Sequence, residues 1–294
     1  MKFNTNRKSE NLEDRRGGRG GGGRGRVAGG IGFGTILVLL AALFLGEGPA
    51  ELLQMIVGSG QGGMAPSSME QSAPNATIDD AQEQFVNDVL VATEDVWNEI
   101  FRNELGKQYR EPGLVLFDRM TSSHCGTAQS ATGPFYCPAD NKAYLDFSFF
   151  SQMKNRMGAG GDFAYAYVIA HEVAHHVQNL LGYTDYVHKQ RSRVSKKQYN
   201  QLSVKLELQA DFLAGVWAKR AEEKGLITLE RGDIEEALRA ANAIGDDRIQ
   251  KQSQGYVVPD SFTHGTSEQR MRWFYRGYQT GDITQGDTFR ATVL

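Results

Sequence analysis

The chain has 294 residues, 40% of them apolar, enough to build one large domain or two modest ones and to exclude a chain without a core. Its formal net charge of -3 hides an asymmetry: up to Arg26 there are 8 Lys or Arg against 3 acids, so the remainder carries 24 against 32. The globular body is therefore acidic, and no nucleic acid partner is expected.

Residues 1–26 read as a basic, Gly/Arg-rich cytoplasmic tail. The run 27–46, VAGGIGFGTILVLLAALFLG, holds twenty residues without a charge or a proline, the length at which a helix crosses the hydrocarbon of a membrane. The Arg cluster before it, with Glu47 after it, predicts a retained signal-anchor. That places the N-terminus in the cytoplasm and the rest in the periplasm or outside the cell. A cleaved signal peptide is the rival, but its n-region would be unusually long and no A-x-A site closes the apolar stretch. Residues 47–78, rich in Gly, Ser, Pro, Gln and Met, read as a linker.

The remaining residues, 79–294, form the expected domain. A helix starts at Asp79 or Asp80 and carries Phe85, Val89, Val96, Trp97, Ile100 and Phe101 at helical spacing, a core stripe. The period then changes: 114–117, 134–137 and 143–147 are short strand-type runs, predicting a small antiparallel sheet with 143–147 as its edge. Cys125 and Cys137 are the only cysteines. In an oxidising compartment they would form a disulfide, closing a short loop and stabilising the fold by roughly 3 kcal/mol. A zinc site from His124, Cys125 and Cys137 is the rival, and it lacks a fourth ligand. A helix is expected over 149–157.

The run 163–182, FAYAYVIAHEVAHHVQNLLG, sets His171, Glu172 and His175 in an otherwise apolar helical pattern. At about 3.6 residues per turn His171 and His175 share a face and can reach one tetrahedral Zn(2+), with Glu172 placed to act on a metal-bound water. Ile169, Val173, Val177, Leu180 and Leu181 form the apolar arc, and Gly182 suits the C-cap. His176 points away from the His171 and His175 face, which suits packing. By chance such an HExxH string arises with odds on the order of one in a hundred, so context decides. The context is the amphipathic helix 202–217, where Glu207 and Asp211 stand four apart. Glu207 can complete a His, His, Glu metal site, and Asp211 can accept the second N–H of a ligating imidazole. The plainer reading of the two acids is a solvated helix face.

The basic stretch 189–199 reads as a loop or helix start, and 229–244 as another amphipathic helix. The last informative segment, 262–281, predicts a helix capped by Ser267 and carrying Met271, Phe274 and Tyr278 on one face.

HEVAHH followed by ELQAD resembles the gluzincin arrangement; a metzincin would need Gly and His where this chain has Gln178 and Leu181. The Gly/Arg-rich start, the single apolar run, GPFYCPADNKAYLD, AHEVAHHVQN, ELQADFLAGVW and HGTSEQRMRWFYRGYQTGD together resemble the bacterial "putative neutral zinc metallopeptidase" family. The resemblance implies an α+β, mainly helical zincin-like domain behind one transmembrane helix, acting on a peptide or protein. The loop holding His264, before the last helix, resembles the one in membrane gluzincins, which implies that His264 or a nearby Arg or Tyr stabilises the oxyanion; the plainer reading is a surface histidine. Two other classes compete. A di-iron bundle shares the Glu172-x-x-His175 spacing but needs a second Glu-x-x-His, and no other histidine has Glu three positions earlier. A membrane-anchored interaction protein on an inactive scaffold is disfavoured by the joint presence of His171, Glu172, His175 and Glu207.

Overall fold

A computed structural model describes residues 1–17 and 81–294. The apolar run 27–46, the linker 47–78 and the capping residues Asp79 and Asp80 lie outside the described residues. Among the described residues, no helix is long and apolar enough to cross a membrane.

The N-terminal part holds β1 (Lys2–Phe3) and β2 (Leu12–Asp14). After α1 (Ala81–Asn103) come β3 (Gly113–Leu116), the hairpin β4 (Met120–Ser123) and β5 (Gly126–Gln129), then β6 (Phe135–Cys137) and β7 (Lys142–Leu145). The rest is helical apart from β8 (Ile227–Thr228). Its helices are α2 (Ser148–Arg156), α3 (Asp162–Leu181), α4 (Tyr183–Gln190), α5 (Lys196–Glu223), α6 (Asp233–Ala243), α7 (Asp246–Gln254) and α8 (Ser267–Thr280). The α+β, mainly helical class agrees with the sequence reading.

The sheet differs from the expectation in two respects. Its order is β2-β3-β7-β6, with β2 and β7 parallel to β3 and only β6 antiparallel to β7, so it is mixed and not antiparallel. The hairpin and β6 together make the β3-to-β7 connection long enough for the chain to return in the same direction, as a parallel pair requires. The expected edge, 143–147, is also displaced. β7 lies inside the sheet, which its run of buried residues Ala143, Tyr144 and Leu145 reflects, and the edges are β2 and β6.

Residues 1–17 are not a free tail. β1 pairs with β8 and β2 with β3, while Met1, Phe3 and Leu12 pack on the core. Strands of two and three residues, KF and LED, carry no period of their own, and their partners lie far along the chain.

α3 is buried on several sides, against α5 and α6 and with α1 beside it. α5 begins earlier than its apolar pattern suggests because Ser195 and Gln198 form a capping box ahead of it. α5 and α8 touch through backbone: a Cβ on Gly215 would lie 2.1 Å from the Phe274 carbonyl oxygen, and one on Gly277 2.0 Å from that of Phe212. Asp211 meets Arg270 at one end of this contact and Arg220 Nε donates to the Gly281 carbonyl at the other, so the two helices run in the same direction. The cap of α8 is Thr266, one residue before the expected Ser267, because the Ser267 hydroxyl donates to Asn242 O instead. α7, which is polar along most of its length, was not foreseen.

Candidate metal centre

α3 is apolar enough to be buried on both sides of its axis and ends where Gly182 turns left-handed at φ 86°, a conformation glycine adopts without a Cβ penalty. Burying the helix brings His171 and His175 inward on one face, where α5 presents Glu207. His171 Nε2 lies 3.2 Å from Glu207 Oε2 and His175 Nε2 lies 3.6 Å from Oε1. One ligand atom from each of the three residues lies within 4.8 Å of the others.

The second nitrogen of each imidazole faces a side-chain oxygen. His171 Nδ1 lies 2.9 Å from Asp211 Oδ1, and His175 Nδ1 donates to Gln178 Oε1 at 2.9 Å. Both Nε2 lone pairs are thereby aimed at the space beside Glu207. Asp211 is itself fully buried, accepting from Tyr167 Oη at 2.5 Å and from Arg270 Nε and Nη2 at 2.8 and 2.9 Å. Gln178 is fixed in turn, donating through Nε2 to Leu206 O at 2.6 Å and to Gln209 Oε1 at 3.1 Å. Gln209 Nε2 donates onward to Gly286 O at 3.1 Å.

The donor set fits a divalent ion. Burial works against the ionised form of Glu207, but His175, His264 and His171 outweigh it and hold the carboxyl well below its ordinary range. Arg270 balances Asp211, so the Glu207 charge is left for a cation bound between the two imidazoles. Two nitrogens and one carboxylate oxygen form a set that zinc accepts in hydrolytic sites. Glu172 stands next to His171 on α3; burial pushes its carboxyl above the usual range, tempered by His175 and His171.

His264 lies in the loop before α8 and is held by Asp246. Its Nδ1 lies 3.2 Å from Asp246 Oδ1, while Asp246 Oδ2 accepts the backbone N–H groups of Thr263, His264 and Gly265. Burial opposes protonation of His264, but Glu207 and Asp246 overcome it and raise its pKa.

Comparison with known proteins agrees with this geometry. Residues 1–289 match the family described as "Putative neutral zinc metallopeptidase". The chain belongs to this family. It is 46% identical to the "Uncharacterized protein YpfJ" of Escherichia coli (strain K12) over an alignment of 303 residues that covers 100% of both chains. It is 43% identical to the "Uncharacterized protein Rv2575" of Mycobacterium tuberculosis (strain ATCC 25618 / H37Rv) over 220 residues, 72% of this chain and 73% of that one. No solved structure matches it.

Three residues of this metallopeptidase site were not foreseen: Gln178, Tyr167 and Arg270. Gln178 and Tyr167 lie three residues after His175 and four before His171, on the faces those histidines present, so helical spacing was the available signal. Arg270 comes from a different helix and gave none. His176 packs as expected, donating through Nε2 to Arg110 O and accepting at Nδ1 from Tyr136, which ties α3 to β6. Burial depresses its pKa to about 4, so it stays neutral. Cys125 and Cys137 are joined in a disulfide, which removes the alternative zinc site with His124.

Proposed function

We propose that this metallopeptidase hydrolyses peptide bonds with one zinc ion held by His171, His175 and Glu207. The observation that carries the reading is the convergence of His171 Nε2, His175 Nε2 and the Glu207 carboxylate, with a side-chain oxygen facing the other nitrogen of each imidazole. Zinc in such a site polarises a carbonyl and makes a bound water acidic. Glu172 is the base that takes the proton from the attacking water and later delivers it to the leaving nitrogen. Its raised pKa suits a group that must both accept and release a proton. His264, steadied by Asp246, donates a hydrogen bond to the developing oxyanion. The free edge of β6, beside α3, is where an extended peptide would add by backbone hydrogen bonds.

The test uses the full chain. Elemental analysis after metal-replete purification should give one zinc per chain, and Glu207→Ala should lose it. Glu172→Gln should keep the metal while peptide-library cleavage disappears. Cleavage undiminished in Glu172→Gln would overturn the mechanism, and retained zinc without any cleavage by the unaltered chain would point to an inactive scaffold.

A further inference from the structure

The first seventeen residues raise a question of topology that the metal centre does not touch. A run that crosses a membrane once, between residue 17 and residue 81, would leave residues 1–17 and the domain on opposite sides. The contacts of residues 1–17 are those of an integral part of the fold. β2 extends the central sheet in parallel with β3, Leu114 N donating to Asn11 O and Arg15 N to Leu116 O, both at 2.8 Å. At the other end Asn4 N donates to Leu226 O at 2.9 Å beside the β1 and β8 pair.

Between the two strands the segment supplies the partners of a buried charge. Glu94, on α1, is wholly inaccessible to solvent. Its carboxylate accepts from Ser9 Oγ at 2.5 Å and Asn11 Nδ2 at 2.9 Å, and pairs with Arg7 Nη1 at 2.7 Å. Asn87, also buried, accepts from Ser9 N and donates to Arg7 O. A carboxylate at that depth is tolerated only when paired and hydrogen-bonded, and these partners come from residues 7–11. Phe3 adds an edge-to-face contact with Phe85.

The same contacts weaken the charge argument for a cytoplasmic N-terminus. Of the 8 basic residues up to Arg26, Lys2, Arg7, Lys8, Arg15 and Arg16 are paired with Glu230, Glu94, Glu83, Glu13 and Asp14 in the fold. Cations neutralised by a folded domain are poor signals for orienting an apolar segment.

We propose that residues 1–17 are a built-in part of the catalytic domain, so that the N-terminus and residues 81–294 lie on the same side of any membrane the chain meets. Hydrocarbon about 30 Å thick cannot lie between strands joined by hydrogen bonds. The Cys125–Cys137 disulfide favours the oxidising side for both parts. Cleavage beyond the apolar run would also strip β1 and β2 from the sheet.

Single-cysteine labelling of the full chain in intact cells decides the matter. Lys8 is 77% and Arg290 90% exposed, and both native cysteines are engaged with each other. Lys8→Cys and Arg290→Cys should react with a membrane-impermeant maleimide to the same extent, both before lysis or both only after it. Labelling of one before lysis and of the other only afterwards would overturn the proposal. A second arm joins the register partners Lys2 and Thr228 as cysteines, oxidised or bridged before lysis, with a protease site inserted in the linker 47–78. After cleavage the two fragments should migrate together until reduced. Fragments that separate without reductant, or links formed only between differently tagged copies, would also overturn it.

Discussion

Arg270 grips both oxygens of Asp211 from a neighbouring helix, at 2.8 and 2.9 Å, while the same carboxylate lies 2.9 Å from His171 Nδ1. Asp211 thus joins the metal centre to α8, and its charge is already balanced before any ion binds.

Asp211→Asn should therefore do two things at once. Zinc affinity should fall about ten- to a hundred-fold, the usual range when a ligand's orienting partner is lost. The fold should weaken as well, because a buried Arg270 loses its anion, a loss typically worth about 3–5 kcal/mol. Zinc titration against a chromogenic chelator, read beside urea unfolding, checks both. A silent substitution would return Asp211 to a surface role that its complete burial contradicts.

Gln178→Leu should lower zinc affinity by a similar ten- to hundred-fold factor without removing a ligand. It takes the acceptor from His175 Nδ1 and leaves Leu206 O without its donor. Competitive zinc titration reads the effect, and an unchanged dissociation constant would show that His175 needs no outer partner.

Gly277→Ala should destabilise the domain by more than a helix-propensity argument allows, since alanine favours helices by up to about 1 kcal/mol over glycine. The added methyl would meet the Phe212 carbonyl at 2.0 Å and force α5 and α8 apart. The midpoint of urea unfolding should drop; a rise would mean the helices adjust freely.

Acid should loosen the N-terminal strand. The Arg15 hydrogen bond, helped by Lys142 and opposed by partial burial, holds Glu13 down to about 2. A carboxyl whose folded pKa is depressed stabilises above its unfolded value and loses that contribution as pH falls towards the folded one. The contribution is therefore complete at neutral pH and fades between about 4.5 and about 2. Because Glu13 is 44% exposed, solvent screens the pair and the effect is small. Glu13→Gln should flatten the stability profile in that window, and an identical acid limb in both proteins would exclude the pair as its source.

The candidate metal-site residues were legible because each pair lies on one helix: His171 with His175, and Glu207 with its neighbour Asp211, stand one turn apart, and the helical period alone puts each pair on a common face. Arg270 was not legible, since it meets Asp211 across 59 positions and only the packing of α5 against α8 brings them together. β1 and β2 were missed for a related reason. Lys2 and Phe3 become a strand only because Thr228 and Ile227 are opposite them. β7 was recognised as a strand yet misplaced at the edge, because local pattern reports burial and not neighbour order. Thr266 displaced Ser267 as the α8 cap when tertiary contacts with Asn242 and Asp247 claimed the serine hydroxyl.

The amides of Gln178 and Gln209 point the same way, each accepting at its oxygen from one side and donating from its nitrogen to the other. From His175 Nδ1 the sequence of donors runs through both side chains to the carbonyl of Gly286, eight residues from the final Leu294. Aligned dipoles of this kind polarise one another, so electron density is drawn towards the imidazole that faces the ion. The segment around Gly286 is in this sense electronically coupled to His175, and a change there would alter how strongly that imidazole could hold an ion without touching the pocket itself.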